Sequence, residues 1–349
     1  MLTPARSPKA GGKKVIRVTQ IDGSLPNLAL MRLAAWHREI GDDVHWERGT
    51  TRKLTEPEYD LVYGSAIFST SAKAVALFRQ QFPGAIVGGS GGNPVIGPAV
   101  RTECYVPSQF RGLDYSGYPD FTATLGYCSR GCRSKCAFCV VPYQEGAIYS
   151  AASVGQLWRG DPYPRHIHLL DNDFFGNPEW RDVVREIVDG GFRVCIHQGI
   201  NVRRIDDESA DAIVRMIPRD TNFKRRRLYV AWDNIGDEKV FFAGIDKLER
   251  AGWKPQWVMA YMLIGFDPKE TWDRIQYRFR RMTERGIEPY PMVFGGDART
   301  PRSPMYPKLK RWQRYVRIGK WRTLPFEEYS TRRILAEPGR LFEAERRSA

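Results

Sequence analysis

Four of the chain's six cysteines fall within twelve positions: Thr124-Leu-Gly-Tyr-Cys128-Ser-Arg-Gly-Cys132-Arg-Ser-Lys-Cys136-Ala-Phe-Cys139. In a chain of 349 residues with no secretory signal, clustered cysteines point to metal before disulfide. Cys132-x3-Cys136-x2-Cys139 offers three thiolates on one tight loop. Thiolates are soft ligands, suited to iron–sulfur clusters and to zinc. Three protein ligands on a four-iron cluster leave one iron open for a small molecule. Two other readings use Cys128 as a fourth ligand: a zinc site, or a closed electron-transfer cluster. Cys104 and Cys195 read as small buried residues. Such a loop constrains the fold, because it must sit where a rigid element can present it. It follows the apolar run at Phe121–Tyr127, and the C-terminal end of a strand is where βα folds place their chemistry.

Hydrophobic residues make up 42% of the chain and charged residues 27%, which excludes wholesale disorder. No apolar run approaches the roughly 20 residues that span a bilayer. The first fourteen residues lack an apolar stretch and read as a disordered basic leader, so a cytoplasmic protein without membrane contact is expected. The formal charge is +14 and the isoelectric point near 9.6. A field of that sign favours polyanions, nucleic acid among them.

The pattern predicts an α/β protein. In residues 15–92, strands at Val15–Asp22, Leu61–Tyr63 and Ala85–Val87 alternate with two helices. The first helix is expected to start from Ser24 with Pro26 in its first turn; the second spans Ala72–Phe82. This is a Rossmann-like (flavodoxin-like) domain ending in Gly88-Gly-Ser-Gly-Gly92. Residues 93–120, rich in Pro, Gly and Tyr, read as a linker. From 121 to 299 a second βα series is expected, with strands at Phe121–Tyr127, Ile167–Leu170, Arg193–His197, Leu228–Trp232, Trp257–Ile264 and Tyr290–Phe294. Helices are expected at Trp180–Asp189, Ala210–Ile217, Val240–Ala251 and Lys269–Arg285. Six such units suggest a parallel sheet curled into a partial (β/α)6 barrel. Residues 300–349 form a basic, aromatic C-terminal extension with helical segments.

The motif at the end of the first barrel strand, with Phe138 before the last cysteine, resembles the radical S-adenosylmethionine (SAM) superfamily over residues 121–300. The resemblance implies a [4Fe-4S] cluster on Cys132, Cys136 and Cys139, with SAM chelating the open iron. The reduced cluster would cleave SAM, and the 5′-deoxyadenosyl radical would abstract a substrate hydrogen. It also implies a flavodoxin- or ferredoxin-type electron donor and a SAM site at the strand ends. Phe138 belongs to that site through the motif. Asp171, Asn172 and Asp173 stand where the family holds the SAM amino group, though its glycines are absent. Gln198, Asn201 and Arg203 stand where ribose and carboxylate would be held. Asp233 follows the fourth strand, and Gly265 lies where the family's backbone approaches adenine. His197 stands at a strand end near the cluster, with His166 and His168 flanking the second strand; none is assigned an acid/base role.

Residues 15–92 also resemble the cobalamin-binding-like domain of one radical SAM branch. The cobalt-ligating Asp-x-His-x-x-Gly is missing, since the first loop reads Asp22-Gly-Ser-Leu-Pro-Asn27; His37 and His45 lie beyond it. Cobalamin is therefore not expected.

In the C-terminal extension, cations and aromatics interleave, with Lys310, Arg311, Trp312 and Arg314 at the centre. Cations suit phosphates and aromatic faces suit unstacked bases, so this segment is expected to dock DNA, or tRNA. Size and layout are similar to bacteriophage radical SAM isomerases of thymidine hypermodification. That similarity implies an isomerase acting on glycine-modified thymidine in a bacterial or phage-infected cell. A tRNA-modifying or cobalamin-dependent methyltransferase is the alternative enzyme. A non-catalytic iron–sulfur or zinc nucleic-acid-binding protein is the alternative from another class.

Overall fold

The computed structural model describes residues 12–68, 71–89, 102–296 and 300–330. The basic leader up to residue 11, Ser90–Gly92 of the glycine run, the first part of the expected linker, and residues 331–349 lie outside these. The chain is mixed α/β with parallel sheets and divides into two units, Met1–Thr122 and Ala123–Ala349. Among the described residues no helix is long and apolar enough to cross a membrane.

The first unit holds β1 (Val15–Gln20), α1 (Leu28–Glu39), β2 (Asp43–Trp46), β3 (Leu61–Ala66), α2 (Ala72–Gln81) and β4 (Ile86–Gly89). The strands are parallel in the order β2-β1-β3-β4. Side chains alternate across β3. Tyr63 packs with Ile16, Val18 and Leu30 against α1, while Val62 and Ala66 pack with Val75 and Phe78 of α2. The cap of α1 is Asn27, not Ser24: the Asn27 side chain accepts the Leu30 amide at 3.1 Å, so Pro26 precedes the helix. Arg17 is buried on β1 and pairs with Glu56 at 2.9 Å, two charges that neutralise each other inside the sheet.

Residues 102–120, expected within a linker, fold onto this unit. Val106 enters the α1 core. The Asp114 carboxylate accepts from Trp46 Nε1 and Arg38 Nε, both at 2.9 Å. The Tyr118 hydroxyl donates to Gln20 at 2.5 Å and accepts from the Asn27 amide at 3.1 Å. Single aromatic and carboxylate anchors, rather than a periodic stripe, hold the segment.

The second unit opens with β5 (Thr124–Gly126), β6 (Ser129–Arg130), α3 (Val141–Gln144), β7 (Tyr149–Ser150) and α4 (Val154–Leu157). Four strand–helix steps follow. They are β8 (His166–Leu169) with α5 (Trp180–Asp189), and β9 (Arg193–Ile196) with α6 (Asp207–Met216). Then come β10 (Leu228–Ala231) with α7 (Glu238–Arg250), and β11 (Val258–Ile264) with α8 (Trp272–Glu284). The last elements are β12 (Glu288–Val293) and α9 (Tyr306–Arg317). Two parallel sheets, β5-β8-β9 and β10-β11-β12, meet at a parallel bridge between Ile200 and Val230. Along β11 the burial alternates: Val258, Ala260, Met262 and Ile264 are buried against the helices, and Met259, Tyr261 and Leu263 are half-exposed on the other face. The short β6–β7 hairpin, antiparallel, is an insertion that the periodicity does not announce.

Candidate metal centre

The cysteine loop leaves the end of β5. Cys128 comes first and is fully buried in the core of the unit, where burial pushes its thiol far up. The chain then runs through β6 and turns at Gly131. There φ is +85° and a Cβ would lie 2.4 Å from the Ala147 carbonyl oxygen, so only glycine fits the turn into Cys132.

Four side chains from outside the loop hold residues 128–134. Asp171, after β8, accepts from the Cys128 amide at 3.1 Å, the Ser129 amide at 2.6 Å and the Ser129 hydroxyl at 2.7 Å. Burial pushes its carboxyl up to about 6 despite those bonds. Asp173 takes the Arg133 amide at 3.2 Å and its guanidinium at 2.7 and 2.9 Å. Glu145 accepts from the Gly131 amide at 2.8 Å, Arg130 at 2.9 Å and Asn172 at 3.0 Å. Asn201, after β9, donates to the Ser134 hydroxyl at 3.2 Å. The carboxylates of Asp171 and Asp173, expected to receive the SAM amino group, are instead occupied in shaping the loop. Asn172 serves Glu145 in the same framework. Glu145 and Ser134 were not singled out from sequence; an isolated Glu in a loop carries no pattern.

The thiols of Cys132, Cys136 and Cys139 are free and half-buried. The Ser134 amide donates to Cys132 Sγ at 3.3 Å, and Arg203 lines the same depression as Cys136. Burial raises the Cys132 and Cys139 thiols, and neighbouring backbone amides offset it only in part. N–H donors to sulfur stabilise the thiolate that a metal needs. Arg203 is itself oriented by Asn201 at 3.1 Å and Asp237 at 2.7 Å. An open depression of about 650 Å³ beside Cys136 is lined by Arg133, Lys135, Arg203 and Arg204.

The remaining expected site residues divide. Asp233 is linked electrostatically to Cys139; it accepts the Leu263 amide at 3.0 Å, and burial raises its carboxyl. Phe138 meets Phe266, after β11, edge-on at 5.6 Å, and Phe266 meets Phe294, after β12, at 5.0 Å. Gln198 is exposed. Gly265 has φ +78°, and a Cβ there would meet Leu309 of α9 at 2.9 Å. Its need for glycine comes from that turn and that neighbour.

Among the described residues of the C-terminal extension, Trp312, expected at the centre of the stacking surface, is not exposed for it. Trp312 is buried, edge-on to Trp272 and Phe279. Arg311 donates to the backbone carbonyls of Phe326 and Tyr329. Lys310 is exposed and Arg314 half-exposed.

Two donors on one zinc with bonds of about 2.3 Å stand at most about 4.6 Å apart. Among the described residues, the one set of three metal-ligating groups gathered within 4.8 Å is His168, Cys195 and His197. The three loop thiols are spread more widely, which suits a cluster that distributes its ligands over several irons. Of the two cysteines read as small and buried, Cys195 is buried but belongs to that set, and Cys104 is exposed. Comparison with family models, curated proteins and solved structures finds no match to this chain.

Proposed function

We propose that the chain is a radical SAM enzyme that modifies nucleic acid, with a [4Fe-4S] cluster held by Cys132, Cys136 and Cys139. The observation that carries this reading is the donor set. Three half-buried thiols stand on one loop beyond the first of six parallel strands, with the Ser134 amide donating to Cys132 and Arg203 beside Cys136. Cys128, the fourth ligand of a closed site, is instead part of the core. The chemistry such a group supplies is one-electron cleavage of SAM to a 5′-deoxyadenosyl radical. The chain's residues do the rest. Arg203 offsets thiolate charge at Cys136, and Asp171, Asp173 and Glu145 fix the loop. Asn201, Arg203 and Asp233 are the polar groups beside the thiols, and so the candidates to hold SAM, with exposed Gln198 further out. Phe138, Phe266 and Phe294 form an aromatic run along one side of the loop. The domain reading that accompanies this is a flavodoxin-like unit followed by a partial barrel.

The net charge of +14 and the cations around the Cys136 depression favour a polyanionic substrate. The specific reading is isomerisation of a glycine-modified thymidine in phage DNA. Anaerobically reconstituted protein, given SAM and dithionite, is expected to release 5′-deoxyadenosine and methionine. Nucleoside mass spectrometry of DNA and tRNA from cells with and without the gene then identifies the product. No SAM cleavage with either nucleic acid present would reject the reading.

For DNA docking, the burial of Trp312 and the anchoring of Arg311 leave Lys308, Lys310 and Arg314 among the cations on α9 able to meet phosphate. The double variant Lys310→Gln, Arg314→Gln is expected to flatten the log–log salt dependence of DNA binding by about one unit per lost phosphate contact. An unchanged slope rejects Lys310 and Arg314 as phosphate contacts. Trp312→Ala is expected to act differently, destabilising the unit by about 3–5 kcal/mol in a melt.

A further inference from the structure

The β8–β9 pair carries a second set of metal-ligating side chains, independent of the cysteine loop. In the parallel register His168 stands opposite Cys195. Cys195 lies on β9 and His197 directly follows the strand, two residues on, its amide still bonded to β8 at Leu169, so the two share a face. Ile167, Leu169, Val194 and Ile196 turn the other way into the core beneath the helices. His168 Nδ1 and His197 Nε2 are 2.5 Å apart, and the Cys195 sulfur lies within 4.8 Å of both. His168 and Cys195 are buried and His197 is partly open.

The surroundings fix the set. Phe223 packs edge-on to His168 at 4.6 Å, and Tyr229 stacks parallel to His197 at 6.5 Å. The His197 backbone is tied on both sides: its amide donates to the Leu169 carbonyl at 3.0 Å, and its carbonyl accepts the Tyr261 hydroxyl at 2.7 Å. Two imidazoles and one thiol are borderline-soft donors, the combination that suits zinc. Tetrahedral zinc with bonds of about 2.0–2.1 Å to nitrogen sets two imidazole nitrogens about 3.4 Å apart. The observed pair must therefore open by roughly 0.9 Å to take the ion.

We propose that His168, Cys195 and His197 form a mononuclear zinc site on the inner face of the β8–β9 sheet, separate from the cysteine loop. Three protein ligands leave a fourth position for water or for a donor atom of a bound molecule, the pattern of exchangeable rather than closed zinc sites. The inference does not depend on the function proposed above.

The test uses the full chain with Cys132, Cys136 and Cys139 all replaced by Ala, so that the loop binds nothing. After stripping with a chelator, it is titrated with Co²⁺ and then Zn²⁺. The expected result is saturation at one equivalent, with a thiolate-to-cobalt charge-transfer band and the visible bands of tetrahedral Co²⁺, displaced by one equivalent of Zn²⁺. Cys195→Ser in the same background should lose the charge-transfer band. His197→Gln, a change at a partly open position, should reduce stoichiometric zinc from one equivalent to none while the circular dichroism spectrum is kept. No saturable uptake would overturn the site and leave a hydrogen-bonded imidazole pair. A charge-transfer band that survives Cys195→Ser would also overturn it. Should that variant fail to fold, the titration of the parent and of His197→Gln still decides.

Discussion

Replacing Cys132, Cys136 or Cys139 singly with Ala is expected to bring bound iron and sulfide to background and to abolish SAM cleavage. A four-iron cluster with three protein ligands has no spare thiol to recruit, and the sulfurs stand on one short loop whose backbone is fixed from outside. Cys128→Ala is the discriminating control. Its thiol lies in the core with Val154, Phe174 and Val183, and burial holds it protonated. The expected cost is about 1 kcal/mol of stability, typical of a small core truncation, with iron content and 5′-deoxyadenosine release unchanged. Iron and sulfide quantification with product chromatography checks both arms. Retention of a full cluster in any of the three loop variants, or its loss in Cys128→Ala, would defeat the three-ligand assignment.

What could be read from sequence follows from what is local. The β-branched run at Val15 and the apolar runs at Leu228 and Trp257 announce strands because such side chains fit a pleated, half-buried surface. β2 does not announce itself. Asp43, His45 and Trp46 leave only Val44 buried, the composition of an edge. The α1 cap is a local signal that went to the wrong residue, because Ser24 and Asn27 both suit an N-cap and only the backbone decides between them. The burial of Trp312 was legible: Leu309, Trp312, Tyr315 and Val316 recur at helical spacing, the stripe of a helix packed on its neighbours. Their interleaving with cations drew attention to the wrong face. The cysteine spacing exposed the three ligands, but not what holds them. Glu145, the pair Asp171 and Asp173, and Asn201 come from three separate connections and meet only when the strands are in register. The same is true of His168 and Cys195, which become neighbours only through the β8–β9 pairing.

Asp171 offers the sharpest test of whether the residues after β8 hold SAM or hold the loop. Its carboxylate is fully buried, and three donors converge on it: the Cys128 and Ser129 amides and the Ser129 hydroxyl. Removing the acceptor strands those donors, at about 1–3 kcal/mol each where they stay buried. Part of that cost is returned, because burial already disfavours the ionised carboxylate and pushes its pKa up to about 6. Asp171→Ala is therefore expected to destabilise the cluster-free, SAM-free chain by about 2–4 kcal/mol in a denaturant titration, with iron retention after reconstitution falling alongside. Asp171→Asn should sit between wild type and Ala. It keeps one oxygen for Ser129 and turns an NH₂ toward the Cys128 amide, leaving that donor unpaired. Gln198→Ala, at an exposed position after β9, should leave the same apoprotein stability within about 0.5 kcal/mol. The two roles differ in what the apoprotein reports. A residue whose task is to bind the SAM amino group contributes nothing to a chain without SAM, and its loss weakens SAM affinity alone. An Asp171→Ala chain with wild-type denaturation midpoint and full iron content, but weakened SAM binding, would return Asp171 to the SAM site and leave the loop to Glu145, Asp173 and Asn201.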